Sequence, residues 1–91
     1  MMKNRRGIFR ISKEVLDNDW WVVLKLMSKV IVIRAEYILM NDYVVYHAYS
    51  PEFREVPDNE TSPLYHIEVR TIIDIEDYLT GHEINFVEAK Q

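Results

Sequence analysis

The side chains of this 91-residue chain that could do chemistry are few and scattered. Its histidines are His47, His66 and His82, none with a neighbour at the spacing that sets two metal ligands on one helix face. His47 and His66 have the same parity in their strands, so adjacent strands would bring them toward Glu36 or Glu68. A zinc site needs three or four such ligands, and a plain cross-strand Glu36–His47 pair is the simpler expectation. The absence of cysteine removes thiolate metal sites, disulfides and a thiol nucleophile, and it fits a reducing, cytoplasmic setting. Ser12, Ser28, Ser50 and Ser62 fall at a cap, on a solvent-facing helix position and at two loop ends, without the partners that activate a nucleophile. Gly7 and Gly81 are the only glycines, so no glycine loop cradles a phosphate. Glu68, Asp74, Glu76 and Asp77 could pair as acid and base, but they read as a solvated strand face and turn. The expectation is a chain that is not an enzyme and holds no metal or cofactor.

What the sequence offers instead is a surface, and the stretch that builds it is Ile31 to Tyr49. Residues alternate with period two on both sides of Asn41-Asp42, which predicts a β-hairpin closed by those two residues. Paired residue numbers then sum to 83. In that register Leu39–Val44, Tyr37–Tyr46 and Ala35–Ala48 point inward together with Ile31 and Ile33, and the outward pairs are Met40–Tyr43, Ile38–Val45, Glu36–His47 and Arg34–Tyr49. Met40, Tyr43, Ile38 and Val45 form an apolar cluster bordered by Arg34, Glu36, His47 and Tyr49. One helix covers one face of a sheet, so the outward face meets solvent, the chain's own C-terminal strand or 50–63 loop, or another molecule. Four such side chains present roughly 300 Å², near the size at which an exposed patch asks for explanation. Tyr, Met and Arg are also enriched at the centres of interfaces.

The remaining elements must carry that hairpin. Gly7 to Ile11 predicts a first strand, and Ser12 can cap a single turn reaching Leu16. Asp17-Asn18-Asp19 then starts an amphipathic helix of about three turns, with Trp20, Val23, Leu24, Met27 and, on its flank, Leu26 toward the sheet. Lys25, Ser28 and Lys29 point to water, and Trp21 lies along the helix shoulder. Residues 50–63 form a long loop in which Phe53 and Val56 plug one end of the core and Pro57 takes the second place of a turn. Leu64 to Ile75 reads as a long strand with its odd residues inside. Thr80-Gly81 turns the chain into a short last strand, Glu83 to Glu88, that buries Ile84 and Phe86. The fold class is α+β: an antiparallel sheet of four or five strands with one amphipathic helix packed on one face, in the order β-α-β-β-β-β.

Residues 1–91 suit one domain, with 1–6 as a basic, frayed arm. Charge is divided along the chain: Lys3, Arg5, Arg6, Arg10 and Lys13 all precede Glu14, the first of fifteen acids. Nucleic acid bound by the basic arm is therefore one alternative, although the acidic body would repel phosphate. A small enzyme or ligand-binding domain is another. The apolar stretches are broken by Lys25, Lys29, Arg34 and Glu36, so neither a membrane span nor an export signal is expected. The function expected is non-catalytic binding to another protein or to itself as a homodimer. Its surface would be Arg34, Glu36, Ile38, Met40, Tyr43, Val45, His47 and Tyr49. In size class the chain fits a phage- or bacteria-encoded accessory factor that modulates a larger protein.

Overall fold

Among the described residues, five strands and two short helices succeed one another as β1 (Arg6–Ser12), α1 (Lys13–Asn18), α2 (Trp20–Met27), β2 (Ile31–Ile38), β3 (Tyr43–Tyr49), β4 (Tyr65–Asp74) and β5 (Leu79–Glu88). This is a computed structural model describing residues 4–74 and 79–89, with the backbone alone for 71–74 and 79–82. The result is a small α+β domain with two antiparallel sheets, β1-β3-β2 and β4-β5. The single sheet of four or five strands expected from the sequence is thus divided. One parallel bridge between Ile8 and Leu64 joins the parts, with the Ile8 N–H donating to the Pro63 carbonyl at 2.9 Å.

The core forms where β1 meets the 50–63 loop, β4 and β5. Phe9, Ile11, Val22, Leu26, Ala48, Phe53, Tyr65 and Ile84 make one buried cluster, against which Tyr46, Ile67 and Phe86 pack half-buried. Strand β1 alternates as its pattern demands, burying Gly7, Phe9 and Ile11 and exposing Arg10 and Ser12. Phe53 and Val56 do plug the core, each fully buried. Their loop is held by the segment expected to fray. The Val56 N–H donates to the Asn4 carbonyl at 2.7 Å, Arg5 donates to the Phe53 carbonyl, and Arg6 donates to the carbonyls of Val56, Pro57 and Glu60. Pro57 is the first residue of its turn rather than the second, since its carbonyl accepts the Glu60 N–H at 3.0 Å.

Ser12 caps α1 as predicted, its hydroxyl accepting the Val15 N–H at 3.3 Å. Asp19, at φ −117° and ψ 48°, then breaks the helix. Its N–H closes α1 onto the Val15 carbonyl, and its own carbonyl receives the Val22 N–H that opens α2. Helix α2 has eight residues, so it spans only about 12 Å rather than three turns. Its phase also differs from the sequence wheel. Val22 and Leu26 are buried, Trp21, Val23 and Met27 are half-buried, and Trp20 and Leu24 are 63% and 60% exposed. In WWVVLKLM only Lys25 interrupts the apolar run, and one lysine fixes a wheel's phase weakly. Leu24→Ala should therefore change the urea-unfolding free energy by less than about 0.5 kcal/mol. A loss above about 2 kcal/mol would return Leu24 to the core.

The hairpin forms in a different register. Ile38 pairs with Tyr43, Tyr37 with Val44, Glu36 with Val45, Ala35 with Tyr46 and Arg34 with His47, so the numbers sum to 81 and Tyr37 does not face Tyr46. The loop is Leu39 to Asp42. Asn41 and Asp42 both donate to the Ile38 carbonyl, at 3.3 and 2.9 Å, and Asp42 takes the left-handed φ of 55° that its type tolerates. The Tyr37 hydroxyl donates to Asp42 Oδ1 at 2.6 Å and locks this closure. Between Val32 and Arg34 a β-bulge shifts the ladder again, so that Val32 pairs with Ala48 and Ile31 with Tyr49.

Thr80 and Gly81 lie inside β5, opposite Ile73 and Ile72, and do not turn the chain. Ile84 is buried and Phe86 half-buried, as expected of the last strand. Ile75, Glu76 and Asp77 lie outside the described residues, as do the first three residues of the basic arm.

Candidate docking surface

The alternation of β1, β2 and β3 decides which side chains share a face, because directly opposed residues point the same way. Gly7, Phe9 and Ile11 face the core with Val44, Tyr46 and Ala48, and this face continues through Ala35 and Tyr37. The other face carries Arg10 from β1, Tyr43, Val45, His47 and Tyr49 from β3, and Arg34, Glu36 and Ile38 from β2. Seven of the eight residues singled out in the sequence therefore lie together. Met40 stands apart at the loop tip, 95% exposed.

The pairings inside this face differ from those expected. His47 stands opposite Arg34, not Glu36, and Glu36 stands opposite Val45. Arg34 and Glu36 form an ion pair along their own strand at 3.5 Å, with both side chains more than half exposed. Such a pair contributes little to stability, so both charges remain available to a partner. Arg10 lies 5.1 Å above the Tyr43 ring centroid. The Tyr43 hydroxyl accepts from Asn41 Nδ2 at 3.2 Å, and this bond together with Arg10 holds its pKa below the ordinary tyrosine value. Tyr37, bonded to Asp42, titrates above it.

The 50–63 loop meets this face at its β1 side, where Arg6, opposite Tyr49, donates to the carbonyls of Val56, Pro57 and Glu60, and its apolar residues turn away from it. Phe53 and Val56 of the loop are in the core, and β4 and β5 rest on β1 and α2. Sequence reasoning missed the exposure of β2 itself. Every residue from Ile31 to Tyr37 is exposed, on both faces of the strand, including Ile31 at 57%, Ile33 at 56% and Tyr37 at 46%. Helix α1 packs on β1 and α2 on β5 of the other sheet, while β2 packs on β3 at the far side of its own sheet, so this third strand has no roof. The radius of gyration, 14.6 Å, exceeds the roughly 12 Å typical of this length, as arms that protrude from a small core require.

The edge of β2 is open as well. The Ile8 N–H points to Pro63 whereas Lys13 donates to the Asp42 carbonyl, so the odd residues of β1 turn their backbone groups toward β3. Carrying this alternation across the two ladders directs Arg34, Glu36 and Ile38 toward β3 and leaves the N–H and C=O of Ala35 and Tyr37 on the free edge.

The residues considered for other chemistry do not converge. His47 on β3 and His66 on β4 are separated by β1, and among the described residues no three His, Asp or Glu side chains could hold a metal ion. Ser12 caps α1, Ser28 donates to the Lys25 carbonyl, and buried Ser50 donates to the Lys29 carbonyl while accepting the Glu52 N–H. These are structural duties. A cleft of about 490 Å³ opens between the helices and β4, with Ile11, Val22, Leu26 and Tyr65 among its walls and Arg10, Asp19 and His66 at its polar positions. Among the described residues no helix is long and apolar enough to cross a membrane. No family model, curated protein or solved structure matches the chain.

Proposed function

We propose that this chain is a non-catalytic protein-binding module that docks its partner through the β2–β3 hairpin. One observation carries the reading: β2, an eight-residue strand rich in Ile, Val and Tyr, is exposed at every residue from Ile31 to Tyr37, on both of its faces. Natural proteins blunt, charge or cover long apolar edges, because such an edge is a template for another chain. Arg34 and Glu36, the charged residues in this strand, are of opposite sign, so charges of a partner strand can match them instead of being repelled. A protein partner is favoured over nucleic acid because Arg5 and Arg6 direct their guanidinium groups to loop carbonyls and Arg10 lies over Tyr43. The lack of cysteine suits work in the cytoplasm.

Tyr43→Glu tests the reading. Tyr43 is half-buried beside Arg10, and a carboxylate there can pair with that guanidinium in the free protein, so the thermal melt should stay within a few degrees of wild type. On docking the same carboxylate must shed its hydration, and binding of protein to the immobilised chain should fall at least about tenfold. A stable Tyr43→Glu protein that captures a different protein as wild type does would contradict docking through this face.

A further inference from the structure

Resting on that reading, we infer that the occupant of the β2 edge is a second copy of this chain, paired antiparallel with Ala35 on the two-fold axis. The argument is one of charge and register. An isologous strand pair must place some residue of β2 on the axis, and each choice fixes which side chains face each other. With Arg34 on the axis two guanidinium groups oppose each other, and with Glu36 two carboxylates do; like charges directly opposite are destabilising. With Tyr37 on the axis Glu36 faces Ile38 of the other copy, and its charge is matched by nothing. Only with Ala35 on the axis does Arg34 face Glu36 of the second copy, twice by symmetry.

The backbone agrees with that choice. Ala35 is one of the residues whose N–H and C=O lie on the free edge, so the two copies exchange two hydrogen bonds at the axis, and its small side chain does not obstruct the approach. The same register sets Tyr37, 46% exposed, across from Ile33, 56% exposed, and so removes apolar surface from water on the other side of the sheet. The bulge between Val32 and Arg34 bends the strand beyond Ile33, which ends the flat pairing at the block 33–37 centred on the matched charges. The dimer is a continuous six-stranded sheet, β1-β3-β2 followed by its symmetry mate.

Charge reversal in two separate chains tests the register. In sedimentation equilibrium the wild-type chain should dimerise below roughly 0.1 mM. Arg34→Glu makes every facing charge at the axis acidic and Glu36→Arg makes every one basic, so each variant alone should dimerise at least about tenfold more weakly, its thermal melt unchanged. An equimolar mixture of the two variants should associate within about threefold of wild type, because each acid then faces a base. An intrachain role for the Arg34–Glu36 pair predicts no such rescue. A wild-type chain that is monomeric at roughly 1 mM overturns the inference, as does a dimer indifferent to either substitution or a mixture that fails to associate. If the chain is monomeric yet loses a different protein on Tyr43→Glu, the inference fails while the docking hairpin stands. Tyr43 lies on β3, one strand in from the paired edges, so Tyr43→Glu should leave self-association within about threefold of wild type, and unchanged capture of a different protein by that variant counts against the docking face alone.

Discussion

Phe53→Ala should lower the unfolding free energy of the monomer by about 3–5 kcal/mol, a large part of what so small a domain possesses. Phe53 comes from a loop, where truncation is ordinarily tolerated. Here its ring is fully buried, with its centroid 4.4 Å from that of Tyr65, 4.9 Å from Phe86 and 6.5 Å from Phe9. Alanine would leave a hole between the sheets, near the Ile8–Leu64 bridge that joins them. Urea unfolding with circular dichroism measures the loss. A change below about 1 kcal/mol would mean that the loop is a detachable cover, not part of the core.

Gly7→Ala should destabilise by about 1–3 kcal/mol and Gly7→Val by more, the opposite of the usual gain from removing glycine in a strand. The backbone at Gly7 is not in the left-handed region, so conformation is no obstacle. Space is the obstacle. A Cβ there would come within 2.7 and 2.8 Å of the Tyr65 ring and 2.9 Å of the Phe53 ring. Both rings are buried and packed together, and the Tyr65 hydroxyl is held by the Arg54 N–H at 2.9 Å, so neither can swing aside. The same urea titration checks this, and a Gly7→Ala chain as stable as wild type would show that the strand and the ring pair are less closely fitted.

Local chemistry was legible where one residue decides an outcome. Ser12 announced its cap, Phe53 and Val56 stood out as apolar residues in a polar loop, and the alternation of 34–38 and 43–49 marked strands and their faces, whereas Ile31, expected inward, shares Tyr49's outer face and Val69, expected inside β4, is 47% exposed. Register was not legible, for a physical reason. Sums of 81 and 83 keep the same parity, so the hydrophobic pattern cannot separate them, and the loop's own hydrogen bonds with the Tyr37–Asp42 contact decide. The bulge at Ile33 is equally silent, because Ile31, Val32 and Ile33 are all apolar and no charge marks the slip. The phase of α2 escaped because its residues are apolar nearly all round.

The candidate site divides in the same way. Seven of its eight residues share a face because parity survives a two-residue shift, whereas Met40 passed into the loop. The pairing of Glu36 with His47 required the exact sum and was lost. The exposure of β2 is a tertiary fact: α1 packs on β1 and the eight-residue α2 on β5, which leaves the third strand of the sheet bare. A sequence with Ile31, Ile33, Ala35 and Tyr37 in alternation looks like a buried strand whether or not anything covers it. The same apolar alternation that suggests an interior here supplies an edge on which another chain can pair.

Amide hydrogen exchange at Ala35 and Tyr37 tests the open edge most directly. In dilute protein both amides should exchange far faster than that of Phe9, which lies in the β1–β3 ladder, and both should slow as concentration rises or a docking partner is added. Protection of Ala35 and Tyr37 at the level of Phe9 in the dilute monomer would show that the edge is already covered, and would contradict the account.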